Sequence, residues 1–319
     1  MRTDRLHTVE NPITRIGIFD SGVGGLTVLD DCLDHAPLKA AGRKSHYIYL
    51  ADTAQMPYGE KTFSAILARS LQCISWLITV QQVDCILVAC NTAAAALIKG
   101  HRLNIKTQRL MAIAETADLP ALPLIDPITT VCQHINAGSA YQKMGLLGTQ
   151  ATILSNQHRE LLSKDIILNT VPCVGLAKLI ESGQHQSQVC QNLLQSFLLP
   201  LKQASVEAII LGCTHYPFVA HSIRAALPEA VIINPGTLMA QQLLAIHAEA
   251  SVIAVSDQFK PGRQENGYAG HAVGQADQTV DFYTTSAPDA PDNRFQAVCS
   301  QLPFRQVKVS ELGHADIPV

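Results

Sequence analysis

Two segments with the same plan decide the fold: residues 83–92 read VDCILVACNT, and residues 206–215 read VEAIILGCTH. Each has an acidic residue, a short apolar run, a small residue and a cysteine, so Cys90 falls on Cys213. Short apolar runs bounded by turn signals are typical of buried strands. A second pair, IGIFDS (16–21) and MGLLGT (144–149), matches in the same way. The repeat indicates two α/β halves related by a pseudo-twofold axis, each with a hydroxyl-bearing loop and a cysteine at a strand end.

Strand-like runs alternate with helical patterns along the chain. Apolar residues between Glu60 and Val83 follow the period of an amphipathic helix, and 151–164 is a second predicted helix. The alternation predicts parallel sheets covered by helices on both faces, with functional loops at the carboxyl ends of the strands. The predicted strands of the first half are 15–19, 45–52 and 85–89, and those of the second half are LPLID (122–126), 143–149, 166–173 and 206–213.

The fold class predicted from this order is α/β, with two pseudo-symmetric three-layer domains of mainly parallel strands and an active site between them. The predicted divisions are 1–115 for the first domain, 116–235 for the second, and 236–319 for a return that completes the first. Residues 230–247 are predicted to form the last strand of the second half and a helix leading back. The segments 280–295 and 304–312 are predicted to add edge structure to the first half, and the Gly- and Gln-rich segment 255–276 is predicted to be a surface insertion.

Composition narrows the class of protein. The chain of 319 residues is 47% hydrophobic and 15% charged, whereas globular proteins average about 25% charged residues. This difference favours extensive buried sheet and a possible homodimer interface. A net charge of -3 without a Lys/Arg cluster argues against nucleic acid. No apolar run reaches the length of a membrane span and the chain starts with polar residues, so we expect a cytoplasmic protein with a small-molecule partner.

The nine cysteines are scattered, odd in number and without a CxxC pair, so neither a disulfide framework nor a zinc site is expected. A thiol that ends a strand directly before a helix is expected to have a lowered pKa, which makes it a usable base. Cys213 beside His215 also fits a thiol-dependent hydrolase. Two facing halves, however, would place two thiols on opposite sides of one pocket, which is the arrangement that stereoinversion by proton transfer requires.

The loop DSGVGG (20–25) follows the first strand and admits two interpretations. Glycines after a first strand, with Asp52 ending the second, are found in dinucleotide sites, although the GxGxxG spacing is missing. The alternative is an anion site, in which Ser21 and backbone N–H groups at a helix N-terminus receive a carboxylate.

Five motifs in order resemble the glutamate racemases, which are cofactor-independent amino-acid racemases of bacterial cell-wall synthesis. The resemblance extends from residue 16 to about residue 250, and the related aspartate racemases share the cysteine pair. The motifs are IGIFDSGVGGLTVL (16–29), LADTAQMPYGEKT (50–62), ILVACNTA (86–93), LIESG (179–183) and LGCTHYP (211–217).

The resemblance implies a role for each matching residue. Cys90 and Cys213 would be the two bases, with Asp20 supporting the first cysteine, and Glu181 and His215 supporting the second. The substrate would be held by Asp20, Ser21, Tyr58, Gly59, Asn91, Thr92, Thr214 and His215. Asp52 also matches a position of the family, and a structural cap at the end of a strand is its alternative role.

The expected activity is therefore interconversion of L- and D-glutamate without cofactor or metal, supplying D-glutamate for peptidoglycan synthesis. Aspartate or another acidic amino acid is the alternative substrate. A binding protein that keeps a glutamate pocket without catalysis and a dehydrogenase are the alternatives from other classes. Paired thiols argue against a mere binding protein, which has no use for two bases.

Overall fold

The computed structural model describes residues 14–34, 45–102, 122–258, 279–285, 308–315 and 317. Its strands are β1 (Thr14–Asp20), β2 (Ser45–Ala51), β3 (Cys85–Val88), β4 (Leu124–Ile125), β5 (Lys143–Gly148), β6 (Ile167–Pro172), β7 (Ala208–Gly212), β8 (Val231–Ile233), β9 (Thr279–Thr284) and β10 (Lys308–His314). Its helices are α1 (Leu26–Asp34), α2 (Phe63–Thr79), α3 (Asn91–Arg102), α4 (Pro127–Asn136), α5 (Gln150–Leu154), α6 (Gln157–Leu161), α7 (Leu176–Glu181), α8 (Gln188–Gln203), α9 (Ala220–Ala226) and α10 (Pro235–Gln258).

Two parallel sheets organise these elements. The first sheet has the order β10-β9-β2-β1-β3-β4, and the second has the order β6-β5-β7-β8. The order β2-β1-β3-β4 therefore recurs as β6-β5-β7-β8, which is the internal repeat that the paired sequence segments indicate. All strand pairs are parallel, so the carboxyl ends of each sheet gather at one edge.

The register extends the repeat to individual residues. Phe19 pairs with Val88 in the first sheet, and Gly148 pairs with Gly212 in the second. If the same register continues past the strand ends, Ser21 lies opposite Cys90 and Thr149 lies opposite Cys213. Each half thus presents one hydroxyl and one thiol on neighbouring strand ends.

The central strands of both sheets are buried on both faces, which explains why they read as continuous apolar runs. On one face of the first sheet, Ile16 and Ile18 pack with residues of α1 and α10. On one face of the second sheet, Ile209 and Leu211 pack with residues of α7 and α8. The remaining faces share a single apolar cluster that contains residues of both sheets. The predicted three-layer α/β class is confirmed, and one continuous core joins the two halves.

Two predictions about local structure are wrong. The segment LPLID, assigned to the second half, supplies β4, which pairs with β3 in the first sheet. The predicted helix over 151–164 is broken into α5 and α6, because Asn156 adopts a left-handed conformation with φ 60°. Asn tolerates this conformation better than most residues, so it ends one helix and starts the next.

The described residues after β8 lie beside the first half. After β8, the helix α10 packs against α1 and α4, and β9 and β10 form the edge of the first sheet next to β2. The proposed division at residues 115 and 116, the start of the chain and residues 259–276 of the proposed insertion lie outside the described residues. In the part of the chain that is described, no helix is long and apolar enough to cross a membrane.

Candidate active site

A cavity of about 340 Å³ opens at the carboxyl ends of the central strands of both sheets. Every residue predicted for the site lines this cavity except Asp20, which is fully buried. The volume falls in the range of small-molecule sites. The repeated strand ends therefore converge on one pocket, to which the first half contributes Cys90 and the second half contributes Cys213.

The two thiols belong to equivalent strand ends. Cys90 follows β3 and precedes α3, and Cys213 follows β7, with 5% and 7% of their surfaces exposed. They lie close enough for negative charge on Cys213 to raise the pKa of Cys90. An α-helix does not follow Cys213 directly, contrary to the sequence-based expectation, because a short 3-10 turn at Tyr216–Val219 comes first.

Burial dominates the electrostatics of Cys90. It raises the pKa of the thiol to about 12, and the negative charge of Asp20 adds to this effect. Hydrogen bonds from the Ser21 hydroxyl, 3.5 Å from Sγ, and from the backbone N–H of Ala93 oppose the shift. The expected lowering of the pKa of Cys90 by the helix start is therefore wrong, because the loss of hydration outweighs the helix dipole.

Asp20 does not line the cavity, but its hydrogen bonds connect the two halves. Its carboxylate accepts hydrogen bonds from the backbone N–H of Gly22 at 2.9 Å and from the Thr214 hydroxyl at 3.2 Å. Burial raises the pKa of Asp20 to about 6, although the positive charge of His215 and the hydrogen bond from Gly22 work in the opposite direction. Asp20 therefore titrates near neutral pH, next to the thiol that it influences.

Cys213 has a different set of supporting residues. Its Sγ lies 3.6 Å from Nδ1 of His215, and Nε2 of the same ring is hydrogen-bonded to Glu181. Burial by itself lowers the pKa of His215, but the hydrogen bonds to Cys213 and Glu181 and the charge of Glu181 outweigh it and hold that pKa well above its usual value. The imidazole therefore places a positive charge next to Sγ. The buried position of Glu181, which is 6% exposed, argues against a surface role.

The glycine loop DSGVGG packs directly on the second half. A Cβ at Gly24 would lie 2.5 Å from the Thr214 hydroxyl oxygen and 2.6 Å from the His215 ring, so only glycine fits there. The backbone N–H of Val23 donates a hydrogen bond to Glu181 at 3.4 Å. The loop thus serves as the contact surface between the halves.

Asp52 does not line the cavity. It is fully buried, and both of its oxygens accept hydrogen bonds from neighbouring side chains. A ribose would need those same oxygens. The structure therefore favours the structural role of Asp52 and gives no support to a dinucleotide site.

Polar side chains form one wall of the pocket. The Thr92 hydroxyl lies 2.9 Å from that of Thr149 and 3.3 Å from that of Thr152. Oδ1 of Asn91 is buried without a hydrogen-bond partner among the described residues. A buried acceptor of this kind is costly unless a ligand or water satisfies it, so it marks a place where a ligand donor fits.

Several lining residues were not predicted from the sequence: Met56, Pro57, Glu60, Thr149, Ala177, Lys178 and Ser182. The repeat could have identified Thr149, because IGIFDS and MGLLGT place it over Ser21. Lys178 precedes Glu181 by three positions on α7, so helical spacing could have placed it on the same face. Among the described residues, no group of three or more His, Cys, Asp or Glu side chains could hold a metal ion.

The fold and the site together define a class of protein in which two similar α/β halves enclose a pocket with one thiol from each half. The sequence profile of the Asp/Glu/Hydantoin racemase family matches residues 24–243. The chain belongs to this family, and the resemblance indicated by the sequence motifs is confirmed.

Individual relatives agree with this assignment. The chain is 33% identical over 241 residues to a glutamate racemase of Aliarcobacter butzleri, covering 74% of this chain and 84% of the relative. It is 35% identical over 243 residues to a glutamate racemase of Pseudomonas syringae pv. tomato, covering 75% and 80%. The crystal structure of glutamate racemase from Francisella tularensis in complex with D-glutamate superposes with a TM-score of 0.69 at 25% identity, covering 95% of this chain and 98% of that one.

Proposed function

We propose that this protein interconverts L- and D-glutamate by a two-base mechanism in which Cys90 and Cys213 act on opposite faces of the α-carbon. The single observation that carries the proposal is that one cavity receives a thiol from each half of the internal repeat. The names of the relatives above support glutamate as the substrate. In a bacterial cell the product D-glutamate would supply peptidoglycan synthesis.

The reaction needs one thiolate and one thiol at a time. The thiolate takes the proton from the α-carbon, and the electron pair left behind spreads into the adjacent carboxylate. The opposite thiol then gives its proton to the other face, so the configuration inverts and no atom is gained or lost. By the family resemblance, Cys90 takes the proton from D-glutamate and Cys213 takes it from L-glutamate.

The pocket offers the groups that this chemistry requires. A negative charge develops on the substrate carboxylate as the proton leaves, and donors aimed at that carboxylate lower the barrier. The Ser21 and Thr92 hydroxyls line the cavity, and so do Asn91 and Thr92 at the start of α3. The first N–H groups of a helix have no partner within the helix itself. Oδ1 of Asn91 is an acceptor suited to the substrate ammonium group.

The proposal predicts turnover of purified protein on D-glutamate, with solvent deuterium incorporated at the α-carbon in both directions. Exhaustive dialysis against a chelator is expected to leave the rate unchanged. A loss of activity that pyridoxal phosphate or a metal restores would contradict the cofactor-free mechanism.

Aspartate or another acidic amino acid is the alternative substrate. Aspartate is one methylene group shorter than glutamate, so it needs a pocket that differs only in depth. The same assay on L- and D-aspartate separates the two substrates by their kcat/KM. A higher value for aspartate would reassign the substrate and leave the two-base mechanism in place.

A further inference from the structure

The carboxylate of Asp52 collects hydrogen bonds from three elements of the first half. Its Oδ1 accepts from Nη2 of Arg69 at 2.8 Å and from the Thr285 hydroxyl at 2.7 Å. Its Oδ2 accepts from Nε of Arg69 at 2.9 Å and from the Tyr58 hydroxyl at 2.6 Å. Two nitrogens of the Arg69 guanidinium thus form a bidentate pair with the Asp52 carboxylate. This arrangement fixes the relative orientation of the two side chains as well as the distance between them.

Tyr58 connects Asp52 to the cavity, because it donates a hydrogen bond to Asp52 and also lines the cavity. It begins the short 3-10 turn Tyr58–Glu60, is 2% exposed, and packs edge-on against Phe19 with ring centroids 6.4 Å apart. Tyr58 and Gly59 both line the cavity. The next residue touches the other half, since a Cβ at Gly59 would lie 3.1 Å from Cβ of Thr149. A small displacement of Tyr58 therefore changes the width of the pocket.

Arg69 is itself anchored on both sides. It lies on α2, and its Nη1 donates to the backbone carbonyl of Ile317 and to Oε1 of Gln72, each at 3.3 Å. Its positive charge balances the buried Asp52 carboxylate, which would otherwise be costly inside the protein. A series of hydrogen bonds thus connects Ile317 to the pocket wall. It passes from the Ile317 carbonyl to Arg69, then to Asp52 and then to the Tyr58 hydroxyl.

We infer that Asp52 and Arg69 are positioning residues for the substrate, which hold the Tyr58–Gly59 wall of the cavity at the width that glutamate needs. Neither residue lines the cavity, so both act through the Tyr58 hydroxyl. The inference rests on the proposed function, because the wall matters to catalysis only if the ligand of this cavity is the substrate.

A purely structural ion pair would stabilise the fold and leave substrate binding unchanged. The protein contains a suitable comparison, because His46 lies on β2, the strand that leads to Asp52, and is hydrogen-bonded to Asp281 at 2.8 Å. That pair involves the amino-terminal part of β2, and neither of its residues lines the cavity. Asp281→Asn is therefore a matched control for the removal of one buried carboxylate charge.

The test compares Asp52→Asn, Arg69→Lys, Tyr58→Phe and Asp281→Asn in the full-length chain. We expect Asp52→Asn and Tyr58→Phe each to raise the KM for glutamate about tenfold, the scale of one lost hydrogen bond to a charged group. Because the thiols are untouched, kcat is expected to change less than KM, as happens when uniform binding is lost. Arg69→Lys keeps the positive charge but loses the bidentate hydrogen bonding to Asp52, so an intermediate rise in KM is expected.

The double variant Asp52→Asn/Tyr58→Phe separates action through Tyr58 from independent effects. If Asp52 acts through the Tyr58 hydroxyl, the double variant should raise KM no more than the larger single effect. Multiplied effects would overturn the inference, as would an unchanged KM in Asp52→Asn or a KM in Asp281→Asn that rises equally. If Asp52→Asn does not fold, the pair Arg69→Lys and Tyr58→Phe gives the same cycle.

A second readout keeps the inference apart from the proposed function. Glutamate is expected to protect Cys90 from iodoacetamide, and the half-protecting concentration should rise in the variants by the same factor as KM. Absence of wild-type turnover would overturn the proposed function. The protection experiment would still show whether the Tyr58–Gly59 wall affects the binding of glutamate in the cavity. Normal wild-type turnover with unchanged protection in every variant would overturn the inference alone.

Discussion

The Thr214 hydroxyl donates a hydrogen bond to Asp20 at 3.2 Å, although the two residues are 194 positions apart in the sequence. Asp20 ends a strand of the first sheet, and Thr214 follows the cysteine of the second. The acid that raises the pKa of Cys90 is therefore held by the residue next to Cys213. The surroundings of the two cysteines are therefore connected by a hydrogen bond, so a change near either cysteine is expected to affect the other.

Replacing either cysteine should abolish racemisation and leave a one-sided reaction. We expect Cys90→Ser and Cys213→Ser each to lower racemisation by at least about 100-fold, because a serine hydroxyl is a far weaker base than a thiolate. Each variant should still eliminate chloride from one enantiomer of threo-3-chloroglutamate, with opposite preferences, since that reaction needs only one base. The measurement is chloride release from the separated enantiomers.

A buried thiol outside the cavity provides the control for this pair. Cys132 is 1% exposed and does not line the pocket, so Cys132→Ser should keep racemisation. Elimination from the same enantiomer by both single variants would mean that the cysteines do not act on opposite faces. It would favour one catalytic thiol assisted by His215.

Asp20→Asn should move the titration of Cys90 to lower pH. The charge of Asp20 raises the pKa of Cys90. The amide of Asp20→Asn removes that charge and keeps one oxygen to accept from Gly22, and its NH2 group takes the place of the oxygen that accepts from Thr214. The measurement is the rate of alkylation by iodoacetamide against pH, in a Cys213→Ser background so that Cys90 is followed. A midpoint that stays in place or moves to higher pH would show that Asp20 does not act on Cys90 through its charge.

The same variant should show a pH-dependent gain in stability. Because the pKa of Asp20 is about 6 in the folded protein against 3.8 for the ordinary side chain, its contribution to stability is fully present below about pH 3.8 and is lost as the pH rises through about 6. The free energy of unfolding of Asp20→Asn minus that of the wild type should rise by about 3 kcal/mol between these limits. Urea unfolding at several pH values measures it, and a constant difference would contradict the assignment.

Glu181→Gln should affect the two directions of the reaction differently. Without the charge of Glu181 the pKa of His215 falls, so less positive charge stands beside Cys213. Proton removal from L-glutamate by Cys213 should then become slower relative to the other steps. We expect a larger primary isotope effect with L-glutamate deuterated at the α-carbon than with the D-enantiomer. An equal increase for both enantiomers would argue against a specific pairing of Glu181 with Cys213.

Gly24→Ala should disturb the contact between the halves. The added Cβ would meet the Thr214 hydroxyl at 2.5 Å, and overpacking of this kind costs about 1–3 kcal/mol. Gly100→Ala is the matched control, because its Cβ would meet the Leu67 side chain at 2.9 Å, away from the cavity. Both variants should lower the Tm, but only Gly24→Ala should lower kcat/KM.

The sequence predicts those features that depend on local patterns and on the repeat. Apolar runs locate the central strands, and the duplicated cysteine segments place Cys90 and Cys213 at equivalent strand ends. The motifs around Asp20 and Glu181 identify residues that the structure brings close to those thiols. These predictions depend on residue type and spacing, which a single sequence contains.

Other features depend on three-dimensional packing. The strand β4 has only two residues, Leu124–Ile125, so its sheet is decided by the neighbour that it meets and not by its own pattern. The break at Asn156 depends on a single backbone conformation. The pKa of Cys90 depends on how completely the folded chain removes water from it, which helix position alone does not reveal.

The recurrence of one strand order within a single chain has an evolutionary consequence. Two identical copies of one half, facing each other as separate subunits, would surround both thiols with the same residues. In a fused chain each copy mutates independently, and here one thiol has Asp20 and Ser21 as its neighbours while the other has His215 and Glu181. Carrying both halves in one chain thus allows the two sides of the pocket to differ in their residues, although the two enantiomers are mirror images.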